Sequence, residues 1–355
     1  MNIYSLSITA LFLSALVSFL TTPLVIKFAK KYNLIDDPKK NKHPKVIHTY
    51  PVPRAGGIAV LAGILITSII FLPADKHLAG ILMGAVIIIA TGVIDDKIDL
   101  NPYLRIFIGF AAASFPIFAG VGIAFITNPF GGIIDLSHPQ VIFSFLGETR
   151  TIWLISDLLA LFWIVLLMNM LNMGAKGVDG QLPGVAAIAS LAIAFLSLQY
   201  SADIAQWPVI ILALITAGAF LGFLPWNMFP QKIMPGYSGS TLAGYMLAVM
   251  SILTTSKIGI LSIVLAVPLI DTTYTIVRRI ASGKSPVWGD TGHLHHRLLK
   301  LGWSKRSVAI FYWTASLTLG LIGLNLNSVS KFYTIIILSV SLGVFIIWLA
   351  KNQKA

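Results

Sequence analysis

The chain has 355 residues, 57% of them hydrophobic and only 11% charged, with a formal net charge of +12 and a mean hydropathy of +0.87. Soluble domains carry roughly 25% charged residues, so this composition excludes an ordinary water-soluble fold. There is no cysteine, which excludes disulfides and thiolate metal sites; no basic stretch is interleaved with aromatics, so no nucleic-acid partner is expected.

Apolar runs long enough to cross a bilayer, about 20 residues for ~30 Å of hydrocarbon, recur along the whole chain. Eleven are predicted, at 3–26, 56–73, 78–94, 104–126, 150–171, 181–199, 206–225, 239–255, 258–277, 307–325 and 331–349. The first lacks a basic leader and ends in Lys27, Lys30 and Lys31, so it reads as a retained helix instead of a signal peptide. The expected architecture is an all-α polytopic membrane protein in which residues 1–355 form one integral-membrane domain. Alternation of sides sends 27–54, 95–105, 172–180, 226–238, 278–306 and the C-terminal tail to one face. That face receives 21 of the 25 Lys and Arg; Lys76, Arg150, Lys257 and Lys331 fall on the other. Positive-inside bias makes the first face cytoplasmic, with the N-terminus outside and the C-terminus inside the plasma (inner) membrane. On the outer face, "FITNPFGGIID" places Asn-Pro and Gly-Gly between β-branched and aromatic residues, predicting a short external β-hairpin near 121–140.

Polar residues gather at the cytoplasmic ends of the spans. "PVPRAGG" brings Arg54 to the start of helix 2, and "VIDDKIDL" puts Asp95, Asp96 and Asp99 at the end of helix 3. Carboxylates at a helix C-terminus oppose the macrodipole, so solvation alone explains them poorly. "NMLNMGAKGVDGQLPG" sets Asn169 and Asn172 one turn apart and continues through Lys176 and Asp179. The two amides could equally bond neighbouring helices. Gly56-Gly57 and Gly239-Ser240 fit either close packing or phosphate at a helix N-terminus. The loop 278–306 contains His293, His295, His296 and Arg297, a set suited to phosphate or a metal. Arg278, Arg279, Lys305 and Arg306 read as positive-inside anchors. Together these residues describe a site at the bilayer surface with carboxylates for a hard divalent cation, Mg²⁺ or Mn²⁺, and cations for phosphate. Such a site suits phosphoryl transfer between a soluble nucleotide conjugate and a lipid phosphate.

Five motifs in order carry a family resemblance. "DDPKKNKHPKVIHTYPVPRAGG", with His48 and Arg54, resembles the first cytoplasmic segment of the polyprenyl-phosphate N-acetylhexosamine-1-phosphate transferases. "DDKIDL" resembles their DDxxD element, "NMLNMGAKGVDG" their NxxN…DGxDG element, "QKIMPGYSGS" the segment ending in GDxGS, and "VPLID…HLHHRLL" the last cytoplasmic loop. The form HLHHRL is nearer the WecA/TagO branch than the MraY branch. The resemblance implies transfer of N-acetylhexosamine-1-phosphate, with N-acetylglucosamine favoured, from a UDP-sugar to undecaprenyl phosphate. The products are the lipid pyrophosphate sugar and UMP, at the first membrane step of an envelope polysaccharide. It implies that Asp95, Asp96 and Asp99 are catalytic, with Asp95 and Asp96 orienting or deprotonating the acceptor and assisting the metal. It further implies that Asn172 is a Mg²⁺ ligand supported by Asn169, and that Arg54, Lys176, Asp179, His293, His295, His296 and Arg297 hold the donor. A homodimer is an expectation of the resemblance alone.

Two positions depart from the pattern. Tyr237 stands where GDxGS carries its metal-binding Asp, and Lys176 replaces the first Asp of DGxDG. A phenol with a pKa of about 10 is a poor Mg²⁺ ligand at neutral pH, and both exchanges make the site less negative. Either Asp95, Asp96 or Asp99 carries the metal with Asn172, or the metal is gone and the chain binds lipid phosphate or nucleotide sugar without turnover. Asp271 is an outside candidate for a compensating ligand, against a packing role in its helix.

Overall fold

The computed structural model describes residues 3–39, 47–145, 148–254, 258–286, 288 and 292–352. The described part is mostly helical. In chain order it runs α1 (Ile3–Lys31), β1 (Ile35–Asp36), β2 (Val52–Pro53), α2 (Gly57–Phe71), α3 (Lys76–Ile98), α4 (Pro102–Phe118), β3 (Phe125–Thr127), β4 (Ile133–Asp135), β5 (Gln140–Phe145) and β6 (Glu148–Trp153). It continues with α5 (Leu154–Gly174), α6 (Gln181–Leu198), α7 (Gln206–Asn227), α8 (Gly236–Leu253), α9 (Gly259–Val264), α10 (Ala266–Ala281), α11 (Leu294–Lys300), α12 (Lys305–Leu324) and α13 (Ser328–Asn352). Among the described residues seven helices, α1, α3, α5, α6, α7, α12 and α13, are long and apolar enough to cross a membrane, and α2 and α4 are shorter apolar helices. The chain is a polytopic membrane protein.

Local chemistry sets several boundaries. Asp75 caps α3 by accepting the Leu78 N–H at 2.8 Å, and Asn101 caps α4 through the Tyr103 N–H at 2.9 Å with Pro102 in the first turn. Ser304 caps α12 through the Ser307 N–H at 3.1 Å. Two spans differ from the sequence expectation. The run 258–277 is broken at Leu265 into α9 and α10; an evenly apolar window hides such a break. Helix α5 begins at Leu154, because 148–153 form β6, which pairs antiparallel with β5 (Gln140↔Trp153). Strands β3 and β4 pair antiparallel around Asn128 and Gly131-Gly132 (Phe125↔Asp135), where Asn128 accepts the Phe130 N–H at 2.9 Å and both glycines have positive φ.

Packing runs through small residues, as expected where lipid is as apolar as the side chains and close backbone approach must drive association. Gly218 and Gly222 on α7 sit against the Leu11 and Ala15 carbonyls of α1, and the Ser14 hydroxyl donates across to Ile215 O at 2.7 Å. Helix α8 is buried almost from end to end and forms the centre of the bundle. Gly57 of α2 faces its Gly239, Gly84 and Gly92 of α3 face its Tyr245 and Ser238, and its Gly244 faces Leu167 and Met168 of α5. The periphery is apolar and exposed, as in Phe12, Leu20 and Leu24 on α1 and Ile337, Val340 and Val344 on α13, which suits hydrocarbon as the surrounding solvent.

A side chain at Gly92 would enter the space of Ser238. Gly92→Val is therefore expected to cost about 1–3 kcal/mol by overpacking, read as a lowered thermal midpoint in detergent. Gly343→Ala on α13, where nothing lies within 4 Å of the new methyl, serves as the control and leaves the midpoint unchanged or slightly raised.

Candidate active site

The C-terminal ends of α3, α5 and α7 and the starts of α4, α6 and α8 converge, with β1, β2 and α11, around one cavity of about 900 Å³. The cavity brings together most of the residues singled out from sequence: Arg54, Asp95, Asp96, Asp99, Asn172, Lys176, Asp179, Tyr237, His293, His295 and His296 all line it. Asn169 and Arg297 do not. Asn169 donates to Val165 O in its own helix at 2.8 Å, and Arg297 is buried with its Nε on Gly292 O at 2.9 Å.

The acidic wall is made at the end of α3. Asp99 ends the helix in a left-handed conformation with φ 50° and returns its N–H to Asp95 O. Its side chain is 90% exposed, whereas Asp95 and Asp96 are buried. Asp95 accepts from Arg105 Nη1 at 3.1 and 3.3 Å and from the Leu100 N–H at 3.0 Å. Asp96 accepts the Tyr237 N–H at 3.0 Å on one oxygen and the Ser238 hydroxyl at 3.2 Å on the other, so it grips the N-terminus of α8. Gly236 makes this possible: its φ is +70°, and a Cβ there would overlap the Asp96 carboxylate.

Cations stand beside and above this wall. Arg105 lies over the Tyr237 ring with 5.1 Å from Cζ to the centroid, and Lys176 Nζ lies 6.0 Å from the same centroid. Arg54 pairs with Asp36 at 2.6 Å. Burial opposes the Arg54 charge, but the hydrogen bond and charge of Asp36 outweigh it and push its pKa up.

The opposite side is a polar network. Gly180 N–H donates to Asn227 Oδ1 at 3.0 Å, and Asn227 Nδ2 donates to Gln231 Oε1 at 3.0 Å. Gln231 Nε2 in turn donates to Asp179 Oδ1 at 3.0 Å. The buried second oxygen of Asp179 has no hydrogen-bond partner. Burial pushes this carboxyl above the usual range, with Lys305 at 3.7 Å and Gln231 offsetting part of the rise.

The histidines form the last wall. Asp271, fully buried, accepts the Leu294 N–H at 2.7 Å and lies 2.9 Å from His293 Nδ1, which fixes the Nδ1 proton and turns Nε2 away from the carboxylate. His293 stacks on His295 at 5.5 Å, and His295 meets His296 at 4.4 Å. Gly177 leaves room for His295, whose ring a Cβ would strike. Burial, then the neighbouring His296 and His293, hold the His295 pKa well below its usual value.

Sequence reading missed Arg105, Asp36, Asn227 and Gln231, and took Lys305 only as an anchor. Arg105 could have been found from its place in the first turn of a Pro-started helix directly after three aspartates. The uncharged Asn227 and Gln231 gave no signal beyond their segment. Asp271 is a positioning residue for His293, the second of the two roles considered for it.

The donor set was tested for a divalent ion. Asp95 is taken by Arg105, both Asp96 oxygens by α8, and Asn172 Oδ1 by the Ser240 hydroxyl at 2.8 Å; Tyr237 offers a neutral phenol. Among the described residues no three His, Asp or Glu side chains gather as a metal site. Asp99, exposed at the cavity, and the unpartnered oxygen of Asp179 remain, but no third carboxylate or histidine gathers with them among the described residues, so the residues present do not fit Mg²⁺, which prefers carboxylate oxygens.

A cavity of acidic and cationic side chains at one end of a polytopic bundle suits charged ligands. Residues 78–255 match glycosyl transferase family 4. The chain is 32% identical over 317 residues, 86% of its length and 81% of the relative's, to the probable undecaprenyl-phosphate N-acetylglucosaminyl 1-phosphate transferase of Bacillus subtilis. It is 29% identical to the decaprenyl-phosphate N-acetylglucosaminephosphotransferase of Mycobacterium leprae (86% and 81% covered). To the phospho-N-acetylmuramoyl-pentapeptide-transferase of Bacillus velezensis it is 27% identical (88% and 95% covered). The chain belongs to glycosyl transferase family 4 and is a phosphotransferase.

The lowered pKa of His295 has a sign. The folded state keeps it neutral while the unfolded chain protonates near pH 6.5, so stability present above that value is lost as pH falls below it. The thermal midpoint in detergent is expected to drop between neutral pH and about pH 5, and to drop less in His295→Asn.

Proposed function

We propose that this chain transfers N-acetylhexosamine-1-phosphate, with N-acetylglucosamine as the first sugar to test, from a UDP-sugar to undecaprenyl phosphate. The products are the undecaprenyl-pyrophosphate sugar and UMP, opening an envelope polysaccharide. The observation that carries this reading is the convergence on one cavity of the five motifs that resemble the family in order. The B. subtilis and M. leprae relatives, whose names specify polyprenyl-phosphate acceptors, support the acceptor class.

The cavity suggests roles. His293, held by Asp271, and His296 line the wall where a diphosphate would lie, and Arg54 and Lys176 add charge for its oxygens. Asp179, with one unpartnered buried oxygen, suits a hydroxyl or amide donor of the nucleotide. Asp95 and Asp96 organise Arg105 and α8, beside which the acceptor phosphate would enter. The acceptor oxygen forms a bond to the sugar-bearing phosphorus, the bridging P–O bond to UMP breaks, and its electron pair leaves on the UMP phosphate. When the acceptor attacks as its dianion, no proton is taken up or released.

The remaining parts of this reading concern topology. We read eleven crossings, with α9 and α10 sharing one, the cavity on the cytoplasmic face of the plasma membrane and β3–β4 outside; the Lys and Arg asymmetry supports this.

Purified protein given UDP-N-acetylglucosamine and undecaprenyl phosphate is expected to release UMP; no UMP from any of a panel of UDP-sugars, with or without Mg²⁺ or Mn²⁺, refutes the reading and leaves binding without turnover. Asp96→Asn has one acceptor for two donors, an unsatisfied group worth about 1–3 kcal/mol, so UMP release should fall by on the order of 10- to 100-fold. The cysteine-free chain also allows topology to be read directly. In intact cells an impermeant maleimide is expected to label Thr127→Cys, and to label Ser282→Cys only after permeabilisation.

A further inference from the structure

Tyr237 lies at the centre of a pair of cations. Its ring carries Arg105 at 5.1 Å and Lys176 at 6.0 Å, and both cations line the cavity. Asp95 and Asp96 lie within electrostatic reach of Lys176, and Asp95 bonds Arg105 directly. Tyr237 also stands, at the start of α8, at the position where the pattern it resembles carries an Asp, and Asp96 fixes that position by holding the Tyr237 N–H. The oxygens of Asp95 and Asp96 and the Asn172 Oδ1 are thus bonded to protein donors, while two positive groups share one aromatic platform.

We propose that Lys176 and Arg105, held over Tyr237, take the place of a divalent ion, so that phosphoryl transfer in this chain is independent of metal. The inference rests on the transferase reading above. Two monovalent side chains supply the charge that a divalent ion brings to a diphosphate. Guanidinium adds a planar fork that engages two phosphate oxygens at once, and ammonium adds a compact point charge. In the reaction they neutralise the oxygens of the phosphorus under attack and of the departing UMP. Only the P–O bonds already described form and break. Tyr237 acts as a positioning residue through its contacts with the two cations.

The test measures UMP release and metal binding in parallel on the full-length protein in detergent. UMP release is expected to be unchanged by EDTA and unchanged by added Mg²⁺. Electron paramagnetic resonance is expected to find no Mn²⁺ bound at this site in the wild type, and a bound Mn²⁺ in Lys176→Asp/Tyr237→Asp. Lys176→Gln should lower kcat by about 10²–10³-fold, the usual effect of deleting one preorganised group that stabilises developing charge, with no recovery on adding Mg²⁺. Lys176→Arg should recover part of the rate. Wild-type release that EDTA abolishes and Mg²⁺ restores overturns the inference, and so does a wild-type Mn²⁺ signal that Asn172→Ala removes. If no donor is turned over, the transferase reading fails, and the Mn²⁺ comparison still decides this one. If the double variant does not fold, the EDTA and Lys176→Gln measurements decide it.

Discussion

The two hydrogen bonds from Asp96 to the N-terminus of α8, at 3.0 Å to the Tyr237 N–H and 3.2 Å to the Ser238 hydroxyl, are the constraint on which the site depends. Helix α8 is surrounded by α2, α3 and α5 through glycine contacts, so its long axis is set by packing. Where its first turn sits along that axis is set by Asp96. The helix start has unpaired N–H groups and a positive end, and a carboxylate meets both needs. Because Gly236 has a positive φ and no Cβ, the chain can turn into α8 directly against that carboxylate. Tyr237 follows with its ring aimed at the cavity, and the positions of Arg105 and Lys176 follow from the ring.

The same economy joins the other walls. The 175–180 loop is tied at one end by Gln181, whose side chain accepts the Gly177 and Val178 N–H groups and donates to Gly174 O. At the other end Asn227 and Trp313 hold Gly180. His295 packs on Gly177, and Asp271 holds both His293 and the start of α11. Each segment near the cavity is therefore fixed by a side chain from another segment. Among the described residues only the two-residue β1–β2 pair braces the site as a sheet, and side-chain-to-backbone bonds do most of that work.

The membrane character and the position of the cavity were legible because the bilayer imposes length and polarity on every span. A carboxylate or histidine cannot be spent casually at its edge. The motif order supplied Asp95, Asp96, Asn172, Lys176, Asp179 and the histidines, and all of them line the cavity. What escaped was of two kinds. The break at Leu265 and the start of α5 lie in uniformly apolar sequence, where periodicity carries no boundary. Arg105 and Lys305 were hidden among cations that positive-inside bias already accounts for. For Asn169 the sequence left two readings open, a shared site with Asn172 or bonding within the helix bundle; its amide donates back to the carbonyl of Val165.

The Tyr237 and Lys176 exchanges look at first like damage to a metal site, yet the aspartates that flank them have kept well-defined partners. The physical reason lies in the empty cavity's own electrostatics. Two cations over one ring repel each other, and a buried wall screens that repulsion poorly. Asp95 on Arg105, with Asp96 close to Lys176, supplies the counter-charge that lets both cations stay in place before substrate arrives. Any phosphate bound there would compete with these carboxylates for the same groups, exchanging one set of charge-assisted hydrogen bonds for another. The aspartates thus have a structural task that needs no ion: Asp95 holds Arg105, and Asp96 holds the start of α8.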